Sequence, residues 1–154
     1  MSDTPESRLL ALGITLPVAA APVANYVPYV QTGSLLFVSG QLPQENGSLA
    51  VTGKLGDHVS LEDGAKAARL CAINLLAQAK AACGELSRVR LVRMTAFVAS
   101  TADFTDQPKV VNGASDLMVA ALGDVGRHAR VAVSAPSLPL NAAVEIEAVF
   151  EIQQ

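Results

Sequence analysis

From Ser60 to Gly84 the chain sets small apolar residues at helical spacing, and few architectures accept such a stripe. Ala65, Ala68, Cys71, Ala72, Leu75, Leu76 and Ala79 fall on one face of the helix. Ser60 is placed to cap its first turn, with Asp63 three residues on as an acidic version of the capping box. Gly84 stops it just after Cys83. Side chains this small let a helix axis approach closely, so the pattern predicts a helix laid flat on a sheet.

The residues for that sheet lie on both sides of the helix. Tyr29–Gly33 reads as a strand ending in a turn, and Ser34–Gln41 as a second strand with aromatic and β-branched residues. Gly40 inside the second predicts a bulge or a place where a ligand nears the backbone. Asn46-Gly47 and Thr52-Gly53 mark turns, with a short strand near 49–51. Val89–Val98 alternates loosely, as a central strand does, and Pro108–Leu122 is a second helix stopped by Gly123. Ala129–Ala135 and Ala143–Ile152 are the last two strands. Near the start, Thr4-Pro5 caps a short helix carrying Leu9, Leu10 and Leu12 and ending near Gly13. A proline-punctuated extended arm follows from Pro17 to Pro28. The order β-β-(β)-α-β-α-β-β puts two helices on one face of a mixed sheet, an α+β sandwich of two layers. One domain over 1–154 is expected, with residues 1–25 as the N-terminal helix and arm.

Apolar residues make up 51% of the chain and charged residues only 16%, against an ordinary charged share of ~25%. Part of the surface is therefore expected to be covered by other copies of the chain. A net charge of −3, no Trp and only 4% aromatics disfavour nucleic-acid binding. No basic segment leads into an apolar core at the N-terminus, and no apolar run approaches the ~20 residues that span a bilayer. Cys71 and Cys83, twelve residues apart on one helix, stand about three turns from each other and beyond disulfide reach. A cytoplasmic protein without membrane contact is expected, with both cysteines as small core residues.

The chemistry concentrates in the last quarter. Ala129-Arg130-Val131 opens one strand, and Val144-Glu145-Ile146-Glu147 opens the next across Ser137-Leu138-Pro139. Strands joined so briefly are expected to be antiparallel neighbours, with Arg130 and Glu145 at the same end of the sheet. A guanidinium is a fork for a substrate carboxylate, and a glutamate beside it can orient or activate water. Arg130 equally suits solvent or a glutamate of a neighbouring strand, and Glu145, Glu147 and Glu151 equally suit a solvated acidic row. Spacing does not choose between Glu145 and Glu147. Tyr29 is a hydroxyl donor or an amphipathic core residue, and Ser39-Gly40-Gln41 is a ligand-facing turn or a bulged strand. His58 and His128, the only histidines, have no Cys or carboxylate at metal-ligand spacing, so no metal site is expected. Neither a phosphate-cradling glycine loop nor a serine elbow occurs. Asp124 and Arg127 read as a loop ion pair.

Six short segments stand in an informative order: Pro28-Tyr29-Val30-Gln31, Phe37-Val38-Ser39-Gly40-Gln41-Leu42-Pro43, Val111-Asn112, Ala129-Arg130, Leu138-Pro139 and Val144-Glu145-Ile146-Glu147-Ala148. Over residues 26–152 the chain resembles the RidA family, also called YjgF/YER057c/UK114. The resemblance implies a chorismate-mutase-like (bacillus-type) α+β fold and a homotrimer with clefts between subunits. It implies hydrolysis, without any cofactor, of reactive enamines and imines such as 2-aminoacrylate and its imine, giving a 2-keto acid and ammonia. The family's carboxylate-binding arginine falls on Arg130 and its water-positioning glutamate on Glu145, which leaves Glu147 as structural. Its site tyrosine falls on Tyr29, its serine on Ser39 and its asparagine on Asn112, with Gly40 in the backbone that approaches the ligand.

The chain also departs from the better-known members. His128 stands in place of a proline, Ala132 in place of a frequent cysteine, the loop 104–109 is longer, and the N-terminal helix is extra. These differences mark a divergent subgroup. Two other functions fit the same residues. In one, Arg130 holds a 2-keto acid or another small carboxylate in a non-catalytic sensor. The other is RNA-directed, because some members carry the endoribonuclease label; the acidic balance and the lack of a histidine pair argue against it.

Overall fold

The computed structural model describes residues 3–22 and 24–154. Its first element, α1 (Pro5–Ala11), opens with a reciprocal cap. Thr4 Oγ1 accepts from the Ser7 N–H at 3.1 Å, and Ser7 Oγ accepts from the Thr4 N–H at 2.9 Å. Glu6 is thereby free to reach sideways, accepting from the Leu86 N–H at 3.0 Å and pairing with Lys80 at 3.5 Å. Arg8 Nε donates to the Ala121 carbonyl at 2.9 Å. The short helix is held at the far ends of the two long ones.

Two strands follow, β1 (Tyr29–Thr32) and β2 (Leu35–Gln41), then a small hairpin of β3 (Gln44–Glu45) and β4 (Ser48–Leu49). Asn46 at φ 55° and Gly47 at φ 85° form its turn, the conformation an Asn-Gly pair adopts most readily. Helix α2 (Leu61–Cys83) is capped by Ser60, whose Oγ accepts from the Asp63 N–H at 3.0 Å. The remaining elements are β5 (Val89–Ala99), α3 (Gln107–Leu122), β6 (Ala129–Ala135) and β7 (Val144–Ile152). The five long strands form one sheet in the order β1-β2-β7-β5-β6. Every pairing is antiparallel except β5 with β6.

The α+β sandwich expected from the sequence is present, but β6 and β7 are not neighbours. β5 lies between them. The reason is physical. Helix α3 returns the chain parallel to β5, so β6 occupies one edge of β5. Residues 136–143 form a connection longer than a tight hairpin, and it carries the chain past β5 to the other edge. There β7 finds two partners and buries Val144, Ile146, Ala148, Phe150 and Ile152 against the helices.

The core lies between sheet and helices, where the small stripe of α2 does what its pattern implied: Ala68, Cys71, Ala72, Leu75, Leu76 and Ala79 are fully buried. Cys71 donates to the Val144 carbonyl at 3.6 Å, and burial pushes its thiol pKa well up, with the Glu145 charge adding to the effect. Cys83 packs only at the margin of this core, and both cysteines are unpaired. The two helices touch where Gly113 on α3 meets Ala65 on α2. A side chain at Gly113 would overlap the Ala65 carbonyl oxygen and sit 2.9 Å from its carbon.

The opposite face of the sheet carries no helix. Val30, Phe37, Val131 and Val133 lie there between 42% and 52% exposed, an apolar band on a chain already poor in charge. No helix is long and apolar enough to cross a membrane among the described residues.

Gly113→Ala tests the helix crossing. Alanine is the better helix former by about 0.5–1 kcal/mol, yet overpacking is expected to win and lower stability by about 1–3 kcal/mol in urea unfolding. A stability gain would mean the helices are not in contact there.

Candidate functional site

Two groups of polar residues stand out, and they sit on opposite faces of the sheet. The first is built around a bulge in β2. Val38 pairs with Ala148 and Gln41 with Ile146, so Ser39 and Gly40 together span a single step of β7. Ser39 is held twice, its N–H donating to the Pro28 carbonyl and its hydroxyl to the Val27 carbonyl, each at 2.9 Å. Gln41 Nε2 donates to the Ser39 carbonyl at 3.0 Å. Thus the Ser39 hydroxyl is spent on the approach to β1.

Gly40 leaves room for the Glu145 carboxylate on the helix-free face. A Cβ at Gly40 would collide with Glu145 Oε2 and lie 3.0 Å from its carboxyl carbon. The glycine thus leaves room for this placement of the carboxylate, and a side chain there would push Glu145 aside. Around the carboxylate is a cavity of about 70 Å³, with Tyr26, Pro28, Gln41 and Pro139 in its wall. Burial raises the Glu145 pKa, and the neighbouring Glu147 charge raises it further. Glu147 itself is exposed. The spacing left these two glutamates equivalent; the bulge distinguishes them.

The second group surrounds Arg130 at the opposite edge of the molecule. Arg130 lies level with Met94 and Ala148, whose side chains are buried on the helix side. Its Nη1 donates to Ser115 Oγ at 3.0 Å and its Nη2 to the Pro108 carbonyl at 3.3 Å. Pro108, Asn112 and Ser115 form one stripe along α3, so Asn112 lies between the two groups that hold the guanidinium. Ser115 Oγ also meets His128 Nε2 at 2.9 Å, and His128 Nδ1 meets the Gly126 carbonyl at 2.6 Å. Among the described residues Arg130 makes no ion pair, so the strand-glutamate alternative is not realised.

Arg130 and Glu145 are therefore not brought together within one chain. On β7 they are three residues apart in register, with β5 between, which is roughly 14 Å through the sheet. Tyr29 lies apart from both. It pairs with Val38 on edge strand β1 and packs against the core, whereas Tyr26 lines the Glu145 cavity.

Sequence reasoning passed over Tyr26, Ser115 and the contact made by His128. The signals for the last two were present. Ser115 is one turn beyond Asn112, and His128 shares strand parity with Arg130. The arm gives no comparable signal for Tyr26. His58 pairs with Asp57 at 3.6 Å, Arg127 pairs with Asp124 at 3.7 Å, and no cluster of three metal-ligating side chains occurs among the described residues.

Residues 6–152 match the family model described as "YjgF/chorismate mutase-like, putative endoribonuclease". The chain belongs to this family. Protein TCP17 of Trypanosoma cruzi is 49% identical over 148 residues, 95% of this chain and 92% of that one. The crystal structure of Atu1372 from Agrobacterium tumefaciens is 53% identical, covers 97% of this chain and 92% of its own, and superposes with a TM-score of 0.92. E. coli TdcF, solved with bound serine, shares the fold at a TM-score of 0.65 and 23% identity, over 89% of this chain and 94% of its own. The chorismate-mutase-like α+β fold is thus that of the family.

Glu147→Gln is expected to lower the Glu145 titration point without abolishing its elevation, because burial is the larger cause. Carbon-detected NMR titration of the carboxyl groups reads this directly; an unmoved Glu145 would separate the two glutamates electrostatically.

Proposed function

We propose that the protein is an imine and enamine deaminase acting on small 2-imino acids of the 2-aminoacrylate and 2-iminobutyrate type. It works as a homotrimer with its sites in the clefts between subunits. The observation that carries this reading is the separation just described. A guanidinium with no ion-pair partner among the described residues and a half-buried glutamate in a small cavity, its pKa raised by burial, face opposite sides of one sheet. Each is half of a site, and a second copy can bring the halves together. The apolar band beside Glu145 supplies a surface for that copy.

In the proposed cleft, Arg130 of one subunit binds the substrate carboxylate bidentately, assisted by Asn112 from the same stripe of α3 as Pro108 and Ser115. Glu145 of a neighbour holds water over the C=N carbon and takes its proton as the new C–O bond forms. The proton passes to nitrogen to give a carbinolamine. Glu145 then takes the hydroxyl proton as the C=O bond forms and returns it to the departing nitrogen. The C–N bond breaks, and a 2-keto acid and ammonia leave. An enamine is first protonated at its terminal carbon to give the imine. A raised pKa suits a carboxyl that accepts and returns a proton in each turnover. Gly40 keeps the approach to Glu145 open, Ser39 shapes it, and Tyr29 of edge strand β1 contributes its hydroxyl to a neighbour's cleft. Imines are labile in water, so orientation and modest acid–base help suffice, and the scheme needs no cofactor.

The serine bound by TdcF is a small amino acid with a carboxylate beside nitrogen, the same chemistry on the same fold. Two unpaired cysteines suit the cytoplasm, where such imines arise. For RNA cleavage no paired histidines offer themselves among the described residues: His58 meets Asp57, whereas His128 meets Ser115 and the Gly126 carbonyl.

Imine decay, with 2-iminobutyrate generated in situ, tests the proposal. Arg130→Ala and Glu145→Gln are each expected to lower turnover at least about 100-fold, since each removes a charged group from the transition state. Mass by analytical ultracentrifugation should remain that of a trimer. Wild type without acceleration, yet binding 2-oxobutyrate, would instead make this a carboxylate-binding protein.

The acid limb of the rate profile follows from the direction of the Glu145 shift. Turnover needs the carboxylate, and its folded pKa is raised, so activity falls away at a higher pH than for an ordinary glutamate. Glu147→Gln should move that limb to lower pH. An unmoved limb would assign it to another group.

A further inference from the structure

We propose that Ser115 and His128 are positioning residues that hold Arg130 in place to receive the substrate carboxylate. The inference rests on the function proposed above and extends it to the groups behind the anchor.

Donor directions in this network are fixed by chemistry at its two ends. The Gly126 carbonyl can only accept, so His128 Nδ1, 2.6 Å away, carries the proton. In the neutral ring Nε2 is then an acceptor, and the Ser115 hydroxyl, 2.9 Å away, donates to it. That turns a lone pair of Ser115 Oγ toward Arg130 Nη1, which can only donate and does so at 3.0 Å. With the His128 ring neutral, every proton in the chain Arg130–Ser115–His128–Gly126 has one place to be. Such directional chains polarise one another and gain from being complete.

The geometry leaves the guanidinium able to bind. Of its five N–H groups, one on Nη1 serves Ser115 and one on Nη2 serves the Pro108 carbonyl. One N–H on each terminal nitrogen and the Nε–H remain, enough for a two-pronged carboxylate contact. Two anchors on a long flexible side chain restrict its rotamers before substrate arrives. Binding then orders less of the protein.

His128 stands at the position where the resembled family carries proline. Proline has no ring acceptor and no side-chain proton, so it cannot orient Ser115. Strand parity explains why His128 reaches: residues 128 and 130 project to the same side of the chain, with α3 above both. The network is thus one that a proline at 128 could not make.

Steady-state kinetics on in situ 2-iminobutyrate and calorimetric binding of 2-oxobutyrate test the proposal, with Arg130→Ala as reference. Ser115→Ala and His128→Leu are expected to raise KM and Kd about 3- to 10-fold with kcat within about twofold. Ser115→Thr keeps the hydroxyl and His128→Gln keeps an acceptor, so both should recover most of the loss. Unchanged KM and Kd in Ser115→Ala and His128→Leu, with Arg130→Ala inactive, would overturn the positioning role and leave the deaminase reading standing. A fall in kcat at constant KM would overturn it in favour of a direct part in the chemistry. If Arg130→Ala itself turned over and bound normally, both readings would fall.

Discussion

β7 hydrogen-bonds along both edges, to β2 and to β5, and the rest of the molecule is arranged around that double pairing. On its helix side, alternate residues from Val144 to Ile152 are buried against α2 and complete the core. On its other side the same alternation presents Glu145, Glu147, Val149 and Glu151. A strand with two partners cannot slip register without moving a whole apolar row to the wrong face. Glu145 is therefore fixed by the core rather than by its own contacts. The bulge in β2, opposite Glu147 in register, sets Gly40 against the Glu145 carboxylate and leaves it room.

The same topology keeps Arg130 away from Glu145. With β5 between β6 and β7, Arg130 goes to an outer edge and turns toward α3, while Glu145 faces the uncovered side. A folded chain thus displays two chemical halves and an apolar band, and no complete site. The function proposed above accounts for low charge, a bare sheet face and split polar groups by a symmetric assembly in which each copy would lend one half to its neighbour. The apolar band would be buried in that assembly and the cleft formed at its rim.

Much of the fold was legible in the sequence because its signals are local. The alanine stripe of α2, its Ser60 cap, the Asn46-Gly47 turn and the glycine inside β2 each state a backbone conformation directly. Strand order was less accessible. The segment 136–143 is short enough to suggest a link between neighbours, yet nothing in it says which edge of β5 the next strand will take. The fuller apolar alternation of β7 compared with β6 was the available clue, since a strand with two partners buries more. At the site, Arg130, Glu145 and Gly40 could be singled out, but the choice of Glu145 over Glu147 depends on the bulge across the strand. Ser115 and His128 escaped because their role arises from a helix and a strand meeting in space.

Subunit mixing tests the composite site most directly. Arg130→Ala and Glu145→Gln chains, each inactive alone, are combined under conditions that exchange subunits, and imine decay is followed. If each cleft takes Arg130 from one copy and Glu145 from the next, random mixing restores both residues in roughly a quarter of the clefts. Activity should recover to about that fraction. Verified mixed oligomers with no recovered activity would show that the two residues do not act in a shared cleft.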